Sequence, residues 1–166
     1  MQHQIKKQLK EEILKLCSYC EELFLGDLER EVYVKAATVF LENYDEERLM
    51  ERMIEKTSPH WNKIIVKDEN FFLKESDKIF GELPISIDLF SSLFSKDFLS
   101  RDEKNKIWSY FHTFVKLACQ YIHYMRGPVA IYDGNRLVSG EYSKDFKKNI
   151  EIKPCVKALN FKLKFT

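Results

Sequence analysis

Apolar residues recur every three or four positions along most of residues 1–126, and this period predicts a series of amphipathic helices. The first helix should end at Gly26, and its apolar side contains Ile5, Leu9, Ile13, Leu16, Cys17, Cys20, Leu23 and Phe24. Asp27 can cap a second helix, whose apolar side contains Leu28, Val32, Ala36, Val39 and Phe40. Asp45 can cap a third helix, which should stop at Pro59.

The strongest helical signal begins at Ser100. Ser100 and Glu103 have the spacing of a capping box, in which each side chain satisfies the backbone amide of the other residue. An apolar stripe follows, made of Ile107, Trp108, Phe111, Phe114, Val115, Ala118, Tyr121, Ile122 and Met125. Gly127 and Pro128 end it, so the helix would be about 26 residues and about 39 Å long. We expect it to be the central helix, with Trp108, Phe111 and their neighbours on the stripe in the core.

The segment between Trp61 and Ser100 is less regular. Its pattern predicts one or two helices after Trp61 and a short helix within residues 85–94.

The pattern changes after Pro128. Asp133-Gly134 favours a tight hairpin turn, and residues 159–165 alternate strictly between apolar and polar side chains, as a half-buried strand does. The predicted fold is therefore mainly α: a multi-helix bundle around a long central helix, with a small β-hairpin or strand element at the C-terminus. Residues 1–126 form the helical domain, and residues 127–166 form a basic, strand-rich C-terminal extension packed on the same domain.

Composition and charge restrict the function classes. Hydrophobic residues make up 45% of the 166 and aromatic residues 14%, which supplies enough apolar surface to fold. The formal charge is +1, so bulk charge indicates neither a nucleic-acid nor a membrane partner. No apolar run resembles a signal peptide or a membrane span, and we expect a soluble, intracellular protein.

Four cysteines allow three interpretations. Cys17 and Cys20 have the spacing of a thioredoxin-like redox motif, but they fall late in a predicted helix with no strand before it. Cys119 and His123 share one side of the long helix, and with Cys17 and Cys20 they could form a tetrahedral zinc site if the two helices pack together. The favoured interpretation is that the cysteines are small buried hydrophobic residues.

Several catalytic signatures are absent from the sequence. It contains no His-Glu-x-x-His motif, no Gly-x-Ser-x-Gly motif and no glycine-rich phosphate loop. We therefore expect no catalytic residues and no cofactor, and we do not expect an enzyme.

The C-terminal extension is basic, with 8 basic and 4 acidic residues after residue 126, against 19 and 22 before it. Lysines are interleaved with aromatic residues there, as in proteins that bind single-stranded nucleic acid. The lysines of this alternative are Lys144, Lys147, Lys148, Lys153, Lys157, Lys162 and Lys164. Protection of a strand edge by lysine is the favoured explanation.

Two stretches carry a resemblance. The first contains Ser58-Pro59-His60-Trp61 with Ile64, Lys67-Asp68-Glu69 with Phe71-Phe72, and Ile79-Phe80-Gly81 with Leu83-Pro84; the second is Ile107-Trp108 with Tyr110. Together they resemble small helical proteins of the nucleocytoplasmic large DNA viruses, the group that includes the marseilleviruses. The resemblance covers about residues 45–126, and no catalytic residues come with it. It implies a virus-encoded protein in infected-cell cytoplasm or in the virion.

The predicted function is that of a non-enzymatic interaction or structural protein that acts through helical surfaces. Its partner would be another protein or a second copy of the chain. The alternative is a nucleic-acid-binding protein that uses the basic extension.

Overall fold

A computed structural model describes residues 2–71, 73–74 and 99–126, together with the backbone of three short strands. The described part is mainly α, as the sequence predicts. Its helices are α1 (Gln2–Leu23), α2 (Leu28–Glu42), α3 (Glu46–Thr57), a 3-10 turn (Ser58–His60), α4 (Trp61–Ile65) and α5 (Arg101–Arg126).

Side chains close the starts of three helices, as predicted. The Arg30 amide donates to Asp27 at the start of α2, at 3.2 Å, and the Arg48 amide donates to Asp45 at the start of α3, at 2.9 Å. At the start of α5 both bonds of the predicted capping box are present. The Ser100 amide donates to Glu103 Oε1 at 2.9 Å, and the Glu103 amide donates to Ser100 Oγ at 3.2 Å. These bonds satisfy amides that have no partner within the helix.

The core lies where α1 packs against α5, and α1 also packs against α2 and α3. The prediction for the long helix is confirmed: its stripe is buried, with Trp108, Phe111, Phe114, Val115, Ala118 and Ile122 all in the core. Trp61 of α4 is fully buried as well, and its indole N–H donates to Thr57 Oγ1 at 2.7 Å. The Trp61 indole therefore has a hydrogen-bond acceptor although its surroundings are apolar.

The apolar side predicted for α2 does not enter the core. The residues of α2 that are buried are Val34, Ala37 and Leu41, on the opposite side of the helix. Leu28, Val32 and Val39 are 76%, 64% and 59% exposed. Because α2 carries apolar residues on both sides, periodicity alone predicts the helix but not the side that packs against α1.

Lys10 of α1 ties down the end of α2. Its ammonium donates to the backbone carbonyls of Glu42 and Tyr44, at 2.8 Å each. The last carbonyls of a helix lack hydrogen-bond partners and carry partial negative charge. The Lys10 ammonium supplies donors for them and also offsets that charge.

Pro59 ends α3, as predicted, but the chain continues at once through the 3-10 turn into α4. α4 then ends in a Schellman motif: the Asp68 amide donates to the Lys63 carbonyl at 3.0 Å, and the Lys67 amide donates to the Ile64 carbonyl at 3.1 Å. Lys67 occupies the left-handed position of this motif, with φ 57°. Glycine is the usual residue there, and Gly26 (φ 91°) supplies it in the turn after α1.

Three short strands are described after α5. β1 (Ala130–Asp133) pairs antiparallel with β2 (Arg136–Ser139) and parallel with β3 (Glu151–Ile152). The turn residue Gly134, the alternating segment 159–165 and the predicted helix within 85–94 lie outside the described residues. The C-terminal element and the division into a helical domain and an extension therefore stay predictions.

Candidate functional site

The cysteines of α1 are buried, which matches the favoured interpretation of them. Cys17 and Cys20 are both in the core, and Cys119 is half-buried on α5. Among the residues that the structure describes, no three His, Cys, Asp or Glu side chains are grouped so that they could hold a metal ion. The zinc set of Cys17, Cys20, Cys119 and His123 is therefore not brought together there.

The chemistry of these thiols fits a role in packing. Burial raises the pKa of the Cys20 thiol to about 12, and burial likewise raises the pKa of the Cys17 thiol. The thiolate is the form that attacks disulfides and binds metals, and an apolar environment disfavours it. Burial therefore disfavours the thiolate form of both side chains.

Lys144, Lys147, Lys148, Lys153, Lys157, Lys162 and Lys164 lie outside the described residues, and so does Cys155. In the described part of the chain, no helix is both long and apolar enough to cross a membrane.

The outer side of α2 is a continuous apolar surface, which we call the α2 face. Its members are Leu25, which directly precedes the helix, and Leu28, Val32, Ala36 and Val39, with Tyr33 and Phe40 at one edge. The steps of three and four between these positions place them along one side of the helix. Single exposed apolar residues are common on proteins, whereas large contiguous groups of them are typical of interaction surfaces.

Charged residues border the α2 face. Lys35 and Glu42 stand seven residues apart, nearly two turns, along the edge opposite Phe40. No ion pair of either side chain is described, whereas Arg30 nearby is paired with Asp27 at 2.7 Å. The face therefore has an apolar centre and an edge that carries both signs of charge.

A polar cleft of about 330 Å³ lies between the end of α4 and the polar side of α5. We call it the α4–α5 cleft, and its lining residues are Lys67, Asn105, Ser109, His112, Thr113 and Lys116. Five of the six stand on α5 with spacings of three, four or one, so the helix places them on one side. The lining residues that the structure describes carry two ammonium groups and no carboxylate.

Two lining side chains are oriented by backbone carbonyls. His112 Nε2 lies 2.9 Å from the Ile64 carbonyl oxygen; because a carbonyl only accepts, Nε2 carries the hydrogen. The Thr113 hydroxyl donates to the Ser109 carbonyl at 3.0 Å, so its hydrogen is used within α5. The remaining donors of the cleft are the two ammonium groups, the Asn105 amide and the Ser109 hydroxyl.

Sequence reasoning missed this cleft. Its residues come from two segments about forty positions apart, and each polar residue of α5 alone is typical of a solvated surface. One signal was present: the exposed side of α5 from Asn105 to Lys116 carries lysine, histidine, amide and hydroxyl groups without an acidic residue.

Comparisons with known proteins return no relative: no family model, no curated protein and no solved structure matches the chain. The viral origin implied by the resemblance therefore stays a prediction.

Proposed function

We propose that this is a non-enzymatic interaction protein, and that it assembles with a second copy of itself through the α2 face. The observation that carries the proposal is the exposure of Leu28, Val32 and Val39 on one side of a well-formed helix. Transfer of such side chains from water into an interface is favourable by roughly 25 cal/mol per Å² of apolar area.

The charges at the edge of the α2 face favour a second copy as the occupant. Two copies related by a two-fold axis, with their α2 helices antiparallel, bring the same edge of each helix together. When Lys35 of each copy lies level with Glu42 of the other, one contact is made twice and the axis passes between residues 38 and 39, so the interface centres on Val39. A face with a single sign of charge at this edge would repel its own copy.

The test is the oligomeric state of the full chain, measured by sedimentation equilibrium over a range of concentrations. Val39→Lys places a charge in the centre of that interface and should weaken self-association about tenfold or more. Val66→Lys is the matched control, because Val66 is also exposed but belongs to the end of α4. Thermal melts of both variants should match the wild type at a concentration at which all are monomeric.

Three outcomes decide the matter. A wild-type protein that dimerises, a Val39→Lys variant that does not and an unaffected Val66→Lys variant support the proposal. A wild-type protein that stays monomeric at every concentration refutes it, even if the α2 face captures a different protein. Equal effects of both substitutions also refute it, because the contact would then not lie on α2.

A further inference from the structure

We infer that the α4–α5 cleft binds a phosphomonoester, a small molecule held by its phosphate group. None of the lining residues belongs to α2, so this inference stands whether or not the α2 face is a docking surface.

The donors of the cleft match the acceptors of a phosphate group. A phosphomonoester carries about −1.5 to −2 charges at pH 7 and presents three strong acceptor oxygens. Lys67 and Lys116 supply two positive charges, and Asn105 and Ser109 add neutral donors. Lysine is a common phosphate ligand because its ammonium acts as a point charge that approaches an oxygen from any direction.

The carboxylates near the cleft are already paired with other cations. Asp68 accepts from the Phe71 amide at 3.0 Å and lies 3.7 Å from the Lys63 ammonium. Glu69 lies 3.0 Å from the Arg101 guanidinium and 3.7 Å from the Lys104 ammonium.

Within the described residues, no carboxylate pairs with Lys67 or Lys116. As far as the described residues go, an incoming anion therefore meets two cations that no carboxylate holds.

The backbone at Lys67 gives a second, independent argument. Its left-handed conformation is unfavourable for a residue with a Cβ atom, and glycine would avoid that cost. A lysine at this position has no advantage for the turn itself. Its advantage is that the motif ends α4 beside α5 and places an ammonium group in the lining of the cleft.

The size and lining favour a small ligand over a polynucleotide. A volume of about 330 Å³ is at the lower end of the range for small-molecule sites. Proteins that bind single-stranded nucleic acid stack the bases on aromatic side chains, and none of the six lining residues is Phe, Tyr or Trp. The cleft can recognise the phosphate and accommodate a short carbon skeleton.

The experiment is a titration of the full, isotope-labelled chain followed by NMR, with glycerol 3-phosphate as the probe. Glycerol, inorganic phosphate and a short single-stranded oligonucleotide are titrated in parallel. Glycerol 3-phosphate and inorganic phosphate should cause saturable shifts at the amides of residue 67 and residues 105–116, and glycerol should cause none.

Three variants test the lining. Lys67→Gly and Lys116→Gln should each weaken the binding of glycerol 3-phosphate about tenfold, since each removes a hydrogen bond between charged groups. Lys7→Gln is the matched control, because it removes the same charge from an exposed site on α1. It should leave the affinity unchanged.

Four results would overturn the inference. They are the absence of saturable shifts with glycerol 3-phosphate, the absence of binding by inorganic phosphate, an equal loss of affinity in Lys7→Gln, and tighter binding of the oligonucleotide at the same amides. The last result would identify a nucleic-acid backbone as the ligand instead.

Discussion

Replacement of Lys67 by glycine is expected to make the protein more stable, although it removes a whole side chain. Lys67 has φ 57°, a conformation that costs an L-residue about 1–2 kcal/mol. Glycine avoids that cost but loses about 0.5–1 kcal/mol of additional chain entropy on folding. The exposed ammonium has no described ion pair, so its loss changes little. The free energy of unfolding should therefore rise by about 0.5–1 kcal/mol.

Urea unfolding followed by circular dichroism measures this change. With a slope of about 2 kcal/mol per molar urea, the midpoint of Lys67→Gly should rise by about 0.2–0.5 M at an unchanged slope. Lys67→Ala is the control, because it removes the ammonium but keeps the Cβ atom and with it the strain. Its stability should stay within about 0.5 kcal/mol of the wild type.

Replacement of Gly26 by alanine is the opposite change, because it adds a Cβ atom at a positive φ. The φ of Gly26 is 91°, and an added Cβ atom would meet no other atom within 4 Å. Gly26→Ala should therefore lower stability by about 1 kcal/mol through the backbone alone. If Lys67→Gly unfolds at lower urea than Lys67→Ala, or if Gly26→Ala is stabilised, backbone strain does not control these two turns and the reasoning is wrong.

Three further outcomes are expected. Trp108→Ala should lower the free energy of unfolding by about 3–5 kcal/mol, seen as a large drop in Tm, because Trp108 is 1% exposed and its loss leaves a cavity; an unchanged melt would place it outside the core. Burial raises the pKa of Cys20 to about 12, so at pH 8 this thiol should react with iodoacetamide only after unfolding in urea, and fast labelling of the native protein would contradict its burial. The backbone N–H of Arg30 holds the pKa of Asp27 below its usual value. The ionised Asp27 side chain therefore stabilises the fold at neutral pH, and this stabilisation is lost as the pH falls below about 4. Asp27→Asn, compared by acid titration of the helical signal, should lose that part of the pH dependence.

The helix starts could be predicted from the sequence because each depends on residues only three positions apart. Asp27 and Asp45 bond to amides in their own first turn, and Ser100 and Glu103 satisfy each other. The core side of α5 could also be predicted, since its apolar residues occupy one wide side and its polar residues the other. Local spacing contains all the information that these features need.

The side of α2 that packs could not be predicted in the same way. Val34 and Leu41 face α1, while Val32 and Val39 face outward, and the two pairs are chemically alike. Which side packs against α1 depends on how the helices pack in three dimensions, and the periodicity of one helix does not contain that information. The α4–α5 cleft was missed for the same reason, because the turn at Lys67 meets α5 only in the folded chain.

The weak attachment of α2 to the core makes its local unfolding a measure of whether the α2 face is occupied. α2 contributes only Val34, Ala37 and Leu41 to the core, and Lys10 closes its end, so it should detach at a lower free energy than α1 or α5. If a molecule covers the outer side, as we propose, and binds only the attached helix, it reduces the equilibrium constant for detachment by the factor 1 + [L]/Kd. Amide hydrogen exchange within α2 would then report how much of the surface is occupied.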